Sequence, residues 1–321
     1  MRVLVTGASG MLGRGVAQAL LDRGDTVTVL QRRPSGLGCR EVLGDVADEA
    51  AVARALAGQE AVVHGAAKVD VVGPWAEYER ANVVGTRVVV AACLAAGARR
   101  LVHVSSPAVA HAGAALVGAA AGAADPHAAQ GFYARSKALA ELDALAADDA
   151  ALAVLAIRPH LVWGPGDTQL VERIVARGRA GRLPLVGTGA ALIDTTYVDN
   201  AVDAIVAGVD ATAHGEALVV SNGEPRPVAK VLGRLCAAAG VAGPRGHVPL
   251  PVAVVAGAAV ERFWARFDRR DTPPLTRFLA GQLGTAHWFD QRRTRAVLGW
   301  VPSVSLDDGF ARLGRSYSGT A

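Results

Sequence analysis

Tyr133 and Lys137 stand four residues apart in "YARSK". On a helix that spacing puts both side chains on one face. A tyrosine hydroxyl ordinarily titrates near pH ~10, and a neighbouring ammonium stabilises the phenolate and draws that value down. Such a pair can give a proton to a carbonyl oxygen, or take one from an alcohol in reverse. Ser105 and Ser106 in "LVHVSSP" close an apolar, β-branched run. A hydroxyl at a strand's carboxyl end can hold the substrate oxygen beside the tyrosine. Strands often end in serine, and Y-x-x-x-K arises by chance. The signal is their order behind a third motif.

That motif is "VTGASGMLGRG", with Gly7, Gly10 and Gly13 at every third position and Ser9, Met11 and Leu12 between and beside them. Glycines let the backbone approach a pyrophosphate, and the following helix start offers unpaired N–H groups to its charge. Alternatively the loop is a tight strand–helix turn. The spacing is G-x-x-G-x-x-G rather than G-x-G-x-x-G. About 20 residues on, an acid would hold a ribose 2′-hydroxyl and an arginine a 2′-phosphate. "VTVLQRRP" places Gln31, Arg32 and Arg33 there, with no acid. A guanidinium attracts and doubly bonds a phosphate that a carboxylate would repel. NADP(H) is therefore expected ahead of NAD(H), with Arg32 the main contact and Arg33 assisting, unless the pair is a solvated surface feature. Asp45, with Val46 N–H nearby, either accepts from the adenine amino group or caps the helix at residue 50.

These motifs need a scaffold that brings strand ends together. Short apolar runs at 2–5, 26–30, 41–43, 61–64, 101–104 and 153–157 alternate with helical patterns at 12–21, 51–56, 83–96 and 132–147. That rhythm predicts an α/β fold, a Rossmann-type doubly wound parallel sheet. Residues 1–165 form the dinucleotide-binding part. Residues 166–321 are mainly a smaller substrate-binding region, of which 190–221 in part returns to the sheet. Proline and glycine thicken after Pro165.

Composition excludes several classes. The chain of 321 residues is 51% hydrophobic and 19% charged, which is globular rather than disordered. A net charge of +4 with dispersed arginines gives no nucleic-acid footprint. Three widely spaced cysteines, Cys39, Cys93 and Cys236, fit neither a disulfide framework nor a metal site, and match a reducing cytoplasm. No signal peptide is expected, and the longest apolar run, 248–260, is too short to span a bilayer. Residues 249–270 combine valines and alanines with Phe263, Trp264, Phe267, Arg262, Arg266, Arg269 and Arg270. They read as a lid over a lipid tail, a helix at a membrane surface or partner enzyme, or a plain core helix.

The ordered set resembles the extended short-chain dehydrogenase/reductases, in the 3β-hydroxysteroid dehydrogenase and NAD-dependent epimerase group. T-G-x-x-G-x-x-G stands at 6–13, H-x-A-A at 64–67, N-V-x-G-T at 82–86, R-P-x-x-x-x-G-P at 158–165 and Y-V-D-N at 197–200. The likeness covers nearly the whole chain. It implies a catalytic Ser106, Tyr133 and Lys137, with Ser106 preferred to Ser105 by its distance from Val109. It further implies cofactor contacts from Gly65, Ala66, Ala67, Lys68, Asn82, Pro159 and Val162, together with Tyr133 and Lys137. Substrate contacts would come from Ser106, His160, Trp163 and Tyr197, although His160 also reads as a structural histidine. The family often carries tyrosine where Ala110 or Trp163 stands. "RPHLVWGPGD", "DTTYVDNA" and "PPLTRF" are similar to the branch of sterol-4-carboxylate 3-dehydrogenases and 2-alkyl-3-ketoalkanoic acid reductases of bacterial olefin biosynthesis. The implied activity is reversible NADPH-linked reduction of a ketone on a hydrophobic keto acid or sterol-like body. A nucleotide-sugar epimerase or dehydratase with tightly held NAD is the alternative, and Arg32 argues against it. A non-catalytic dinucleotide-binding scaffold is a further one, against which the intact Tyr133 and Lys137 stand. The family also implies a homodimer through the helices at 83–96 and 132–147.

Overall fold

The computed structural model describes residues 1–319 other than 71, 268, 270 and 272. Seven parallel strands form the central sheet. Their spatial order is Glu216–Val220, Ala153–Pro159, Arg100–Val104, Ala61–His64, Arg2–Thr6, Thr26–Gln31 and Arg40–Leu43. Successive side chains along a strand point to opposite faces. Leu4, Val62 and Leu101 accordingly face one layer with Val52, Leu56, Val89, Cys93 and Ala144. Val3, Val5, Val63 and Val102 face the other, against Val16, Leu20, Val202 and Ile205. The first layer is built by the helices Glu49–Leu56, Gly85–Ala96 and Gly131–Leu145, the second by Met11–Asp22 and Val198–Asp210. The inner strands are buried on both faces and largely apolar, whereas the edge strand Arg40–Leu43 has no buried residue.

The late part of the chain re-enters this core. Glu216–Val220 pairs with Ala153–Pro159 from Leu155 to Pro159. The helix Val198–Asp210 lies so close to Met11–Asp22 that a Cβ on Gly15 would stand 2.6 Å from Val202 Cγ2. A second, four-stranded sheet orders Arg226–Pro227, Leu192–Ile193, His287–Phe289 and Leu116–Ala119. Its last strand comes from the segment just after the two serines, so this smaller layer is anchored directly to the catalytic side of the large one. Among the described residues no helix is long and apolar enough to cross a membrane.

Two elements differ from the sequence pattern. The helix expected from residue 83 begins at Trp75 behind Pro74, passes through a π-helical stretch at Glu79–Val84 and becomes α-helical at Gly85–Ala96. Wider i→i+5 turns break the 3.6-residue period, which hides the first half of the helix from periodicity. The second is Leu161, whose φ of 44° is left-handed although it is not glycine. Its neighbour His160 has its carbonyl held by Thr196 Oγ1 at 2.7 Å, and Thr196 N–H bonds the Leu161 carbonyl at 3.2 Å. These bonds fix the sharp turn between Ala153–Pro159 and the short strand Val162–Trp163.

The helix Gly131–Leu145 is pinned to the sheet by a buried ion pair. Arg158 Nε donates to Glu141 Oε2 at 2.8 Å and Arg158 Nη2 to Glu141 Oε1 at 2.5 Å, both side chains being 1% exposed. Arg158 Nη1 also donates to the Ala121 and Gly122 carbonyls. Removing one partner strands a charge, which costs about 3–5 kcal/mol. Glu141→Ala is expected to lower the denaturant-unfolding free energy by that amount, whereas Glu141→Leu combined with Arg158→Met loses markedly less. Equal losses in the single and double variants would show that the charge pair is not what anchors the helix.

Candidate active site

The glycine loop is shaped by what presses on it. Gly7 has φ 82°, and a Cβ there would stand 2.8 Å from the Ala66 backbone; one on Gly13 would stand 2.4 Å from the Gly7 carbonyl. Gly7 N–H bonds the Leu30 carbonyl at 3.0 Å, tying the loop to the end of the second strand. No side chain caps the helix at Gly10, so its first-turn N–H groups remain for an anion. Ser9 and Gly10 are exposed, with Met11 and Leu12 half-buried beside them. A cradle of backbone this tight and this bare fits a pyrophosphate-bearing dinucleotide.

The wall opposite is set by a chain of hydrogen bonds through His64. Ala66 N–H donates to Thr6 Oγ1 at 3.1 Å, and Thr6 Oγ1 lies 2.8 Å from His64 Nδ1. His64 Nε2 lies 3.1 Å from Thr86 Oγ1, which donates to the Asn82 carbonyl at 2.6 Å. Thr86 has one proton, so it must accept from Nε2–H; Thr6 then donates to the Nδ1 lone pair. His64 is neutral by this count, and burial agrees, pushing its pKa down to about 3. Asn82 closes the loop: Oδ1 accepts from Lys68 N–H at 2.7 Å, while Nδ2 donates to the Lys68 carbonyl and to Ser136 Oγ. Its polar atoms are thus engaged within the protein. The Asn82 side chain thereby holds the Lys68 backbone, at the end of the loop 65–68, against Ser136 of the helix that carries Tyr133 and Lys137. The Lys68 ammonium is likewise turned to Asp70 and Glu77, each at 3.0 Å.

Arg32 and Arg33 project into solvent at the end of Thr26–Gln31. The turn that follows is organised from the next strand: Glu41 Oε1 accepts from Ser35 N–H and Ser35 Oγ, both at 2.7 Å, and from Gln31 Nε2. Arg14 reaches the same turn through the Ser35 carbonyl. Asp45 is not the helix cap. That role belongs to Asp48, which accepts from Ala50 and Ala51 N–H, while Asp45 Oδ1 bonds Ala47 N–H at 2.9 Å and Oδ2 lies 3.7 Å from Arg80. Val46 is buried against Gly85.

Ser106 starts a short 3₁₀ turn at the carboxyl end of Arg100–Val104. Its Oγ accepts from Ala108 N–H at 3.3 Å and hydrogen-bonds the Tyr133 hydroxyl. Ser105 is buried with Oγ unpartnered. Burial raises the Tyr133 pKa, with the Ser106 hydrogen bond opposing. Lys137 Nζ donates to the Val104 carbonyl at 2.7 Å and lies 3.3 Å from His103 Nε2. Burial lowers the Lys137 pKa to about 8, against the opposing charge of Glu141. The site thus holds a protonated phenol on a serine hydroxyl, one helical turn from a desolvated ammonium.

Trp163 and Tyr197 are buried rather than open to a ligand, and His160 takes the structural place that was its other reading. Trp163 is fully buried and stacks on Phe310 with ring centroids 4.5 Å apart; Tyr197 packs edge-on to it and is 2% exposed. Both are core residues. His160 has both nitrogens engaged: Nδ1 with Asp194 Oδ1 at 2.5 Å and Nε2 with His287 Nδ1 at 3.1 Å. His287 donates Nε2–H to the Gln282 carbonyl at 2.8 Å and is kept neutral by burial, its pKa down to about 4. His160 is thus held on both sides within the protein. Asp194 is completed by Ser221 Oγ at 2.7 Å and Phe289 N–H at 3.0 Å. This node joins both sheets. Pro159 and Val162 flank it, Pro159 in register with Val220 and Val162 with Thr196. The signal for it was weak, since its members lie far apart in sequence.

The stretch 249–270 forms the helix Leu250–Arg266, which exposes Val252, Val255 and Phe263, with Phe267 exposed beyond it. Its other face enters a small apolar cluster through Ala253, with Val186 and Ala280. Arg270 lies outside the described residues.

A protein-family model described as the 3-beta hydroxysteroid dehydrogenase/isomerase family matches residues 4–224. The chain is 42% identical over 324 residues to the 2-alkyl-3-oxoalkanoate reductase of Stenotrophomonas maltophilia (strain K279a), covering 98% of each. It is 30% identical to the human sterol-4-alpha-carboxylate 3-dehydrogenase, decarboxylating, covering 98% of this chain and 88% of that one. Among solved structures, a double mutant of the dTDP-glucose 4,6-dehydratase DesIV from Streptomyces venezuelae with NAD bound superposes with a TM-score of 0.76 at 26% identity. The superposition covers 99% of this chain and 97% of that one. The glycine cradle, the strand-end serine and the tyrosine–lysine helix are the working parts of one fold, and the chain belongs to the 3-beta hydroxysteroid dehydrogenase/isomerase family.

Proposed function

We propose that this protein is an NADPH-dependent ketoreductase acting reversibly on a hydrophobic 2-alkyl-3-oxoalkanoic acid. The observation that carries the chemistry is the Tyr133 hydroxyl on Ser106, one turn from buried Lys137. Similarity in sequence to the Stenotrophomonas reductase over nearly the full length of both chains supports the substrate class. Sterol-like 3-keto acids are the second choice, supported by the human relative.

A bound reduced nicotinamide would supply hydride to the ketone carbon. The Gly7–Gly10–Gly13 cradle and the first-turn N–H groups of the helix would hold its pyrophosphate, and the loop at 65–68 would face its ribose. Tyr133, a phenol protonated at neutral pH whose pKa burial raises further, donates its proton to the carbonyl oxygen. Ser106 orients that oxygen. Lys137 offers an N–H to the ribose side and its charge to the developing phenolate. Arg32, exposed at the end of the second strand, binds the 2′-phosphate, with Arg33 assisting.

Tyr133→Phe should cut reduction of a 2-alkyl-3-oxo acid by about 10²–10⁴-fold, the usual size of a general-acid contribution, with NADPH affinity by fluorescence titration unchanged. Loss of NADPH binding as well would mean that the hydroxyl is structural. Arg32→Asp should lower the NADPH-over-NADH preference in kcat/KM by roughly 10–100-fold, the worth of one charge-assisted hydrogen bond. An unchanged ratio would remove Arg32 from the phosphate site. Because Lys137 titrates near 8, the reduction rate should decline as pH rises through that value and the ammonium is lost. A profile level up to the ordinary lysine range would show that its charge is not used.

A further inference from the structure

His103 sits on Arg100–Val104, fully buried, in parallel register with His64 on the neighbouring strand. Alternation along the strand sends His103 and Ser105 to the same face, the one covered by the helix that carries Tyr133, Lys137 and Glu141 at intervals of four. An ammonium has three N–H groups and no lone pair. Lys137 places one on the Val104 carbonyl at 2.7 Å and a second on His103 Nε2 at 3.3 Å. His103 must then accept at Nε2 and carry its own proton at Nδ1. That nitrogen is buried and has no partner, an arrangement that works against stability. The imidazole therefore does nothing for its strand that an apolar ring would not do better. Its only bond is to the lysine.

We propose that His103 is a positioning residue for Lys137: its Nε2 lone pair and the Val104 carbonyl hold two ammonium N–H groups, so that the third is directed at a ligand in the cleft. The described residues supply no third acceptor. The inference rests on the reading of that cleft as a dinucleotide and ketone site, but the geometry on which it stands belongs to the empty protein. Every group facing the ammonium is accounted for. Glu141 on the same helix favours the charge and is itself paired with Arg158 from Ala153–Pro159. His64 and His103 approach from the two strands and are both kept neutral by burial and by Lys137 itself. Tyr133 lies one turn back on the same helix.

The chain has only three lysines, Lys68, Lys137 and Lys230, so lysine side-chain NMR on the full-length protein resolves each titration without substrate or cofactor. Glutamine places its amide oxygen where Nε2 stands, and asparagine places its amide nearer to Nδ1. In His103→Gln, Lys137 should titrate as in the unaltered protein, near 8. In His103→Phe and His103→Asn the lost acceptor should lower the ammonium-to-amine ratio at a given pH by about tenfold, a shift of about one pH unit. The rate of ketone reduction near neutral pH should follow the same split. A purely structural histidine would instead make all three variants alike. Identical Lys137 titrations in all four proteins, or a shift in His103→Gln as large as in His103→Phe, would overturn the proposal. Correct Lys137 shifts without turnover on any keto acid would leave it standing and sink the substrate reading instead.

Discussion

Lys137 carries its charge into the interior between the helix Gly131–Leu145 and the strand Arg100–Val104, and much of the surrounding architecture keeps it there. A buried ammonium tends to lose its proton. Glu141 counters that tendency from one turn further along the helix, but a carboxylate cannot be buried alone. Arg158 therefore reaches across from Ala153–Pro159 to pair with it, and the same guanidinium gathers the Ala121 and Gly122 carbonyls. One functional charge thus brings with it a second, a third and the backbone of a loop that continues from the smaller sheet. Helix, strand and loop are held in one arrangement by electrostatics that an apolar contact would not direct.

The histidines show how finely the fold distinguishes similar side chains. His64 lies between two threonine hydroxyls, and burial keeps it neutral. His160 lies between the Asp194 carboxylate and the His287 imidazole. The first fixes the backbone beside the glycine cradle. The second ties together the ends of Ala153–Pro159 and Glu216–Val220 and the strand His287–Phe289 through Asp194, Ser221 and Phe289. Gln282 extends the node to the serine side of the cleft, since its amide reaches His111 at 3.1 Å. Neither histidine does chemistry, yet each sets a wall of the place where chemistry is done.

How much of this was legible in the sequence follows from the range of the forces involved. The sheet could be read because its inner strands are largely apolar and each helix has its own period. Tyr133, Lys137, Ser106 and the glycines could be read because each marks a strand end or a helix face by local spacing. Asn82 was noticed through its motif, while the bonds to Lys68 and Ser136 that place its side chain join distant segments. Trp163 and Tyr197 were misplaced for a related reason, since only packing against Phe310 from the last helix shows that they face the core. His103 gave no signal, because a histidine in an apolar run has no meaning until the lysine on another element is placed against it.

The core that contains Val3, Val5 and Val16 also contains Val202, Ile205, Leu218, Leu232 and Phe310. One face of the dinucleotide-binding sheet is thus completed by residues that follow most of the chain. The early and late parts of the chain are not separate units of assembly. A nascent chain that has emerged only as far as the tyrosine–lysine helix would expose the apolar face meant for Val198–Asp210 and would lack the seventh strand. The protein can become native only after nearly all of it has been synthesised. Fragments ending near residue 165 would behave as aggregation-prone intermediates, and exchange of this module between proteins would have to carry the downstream helix and strand with it.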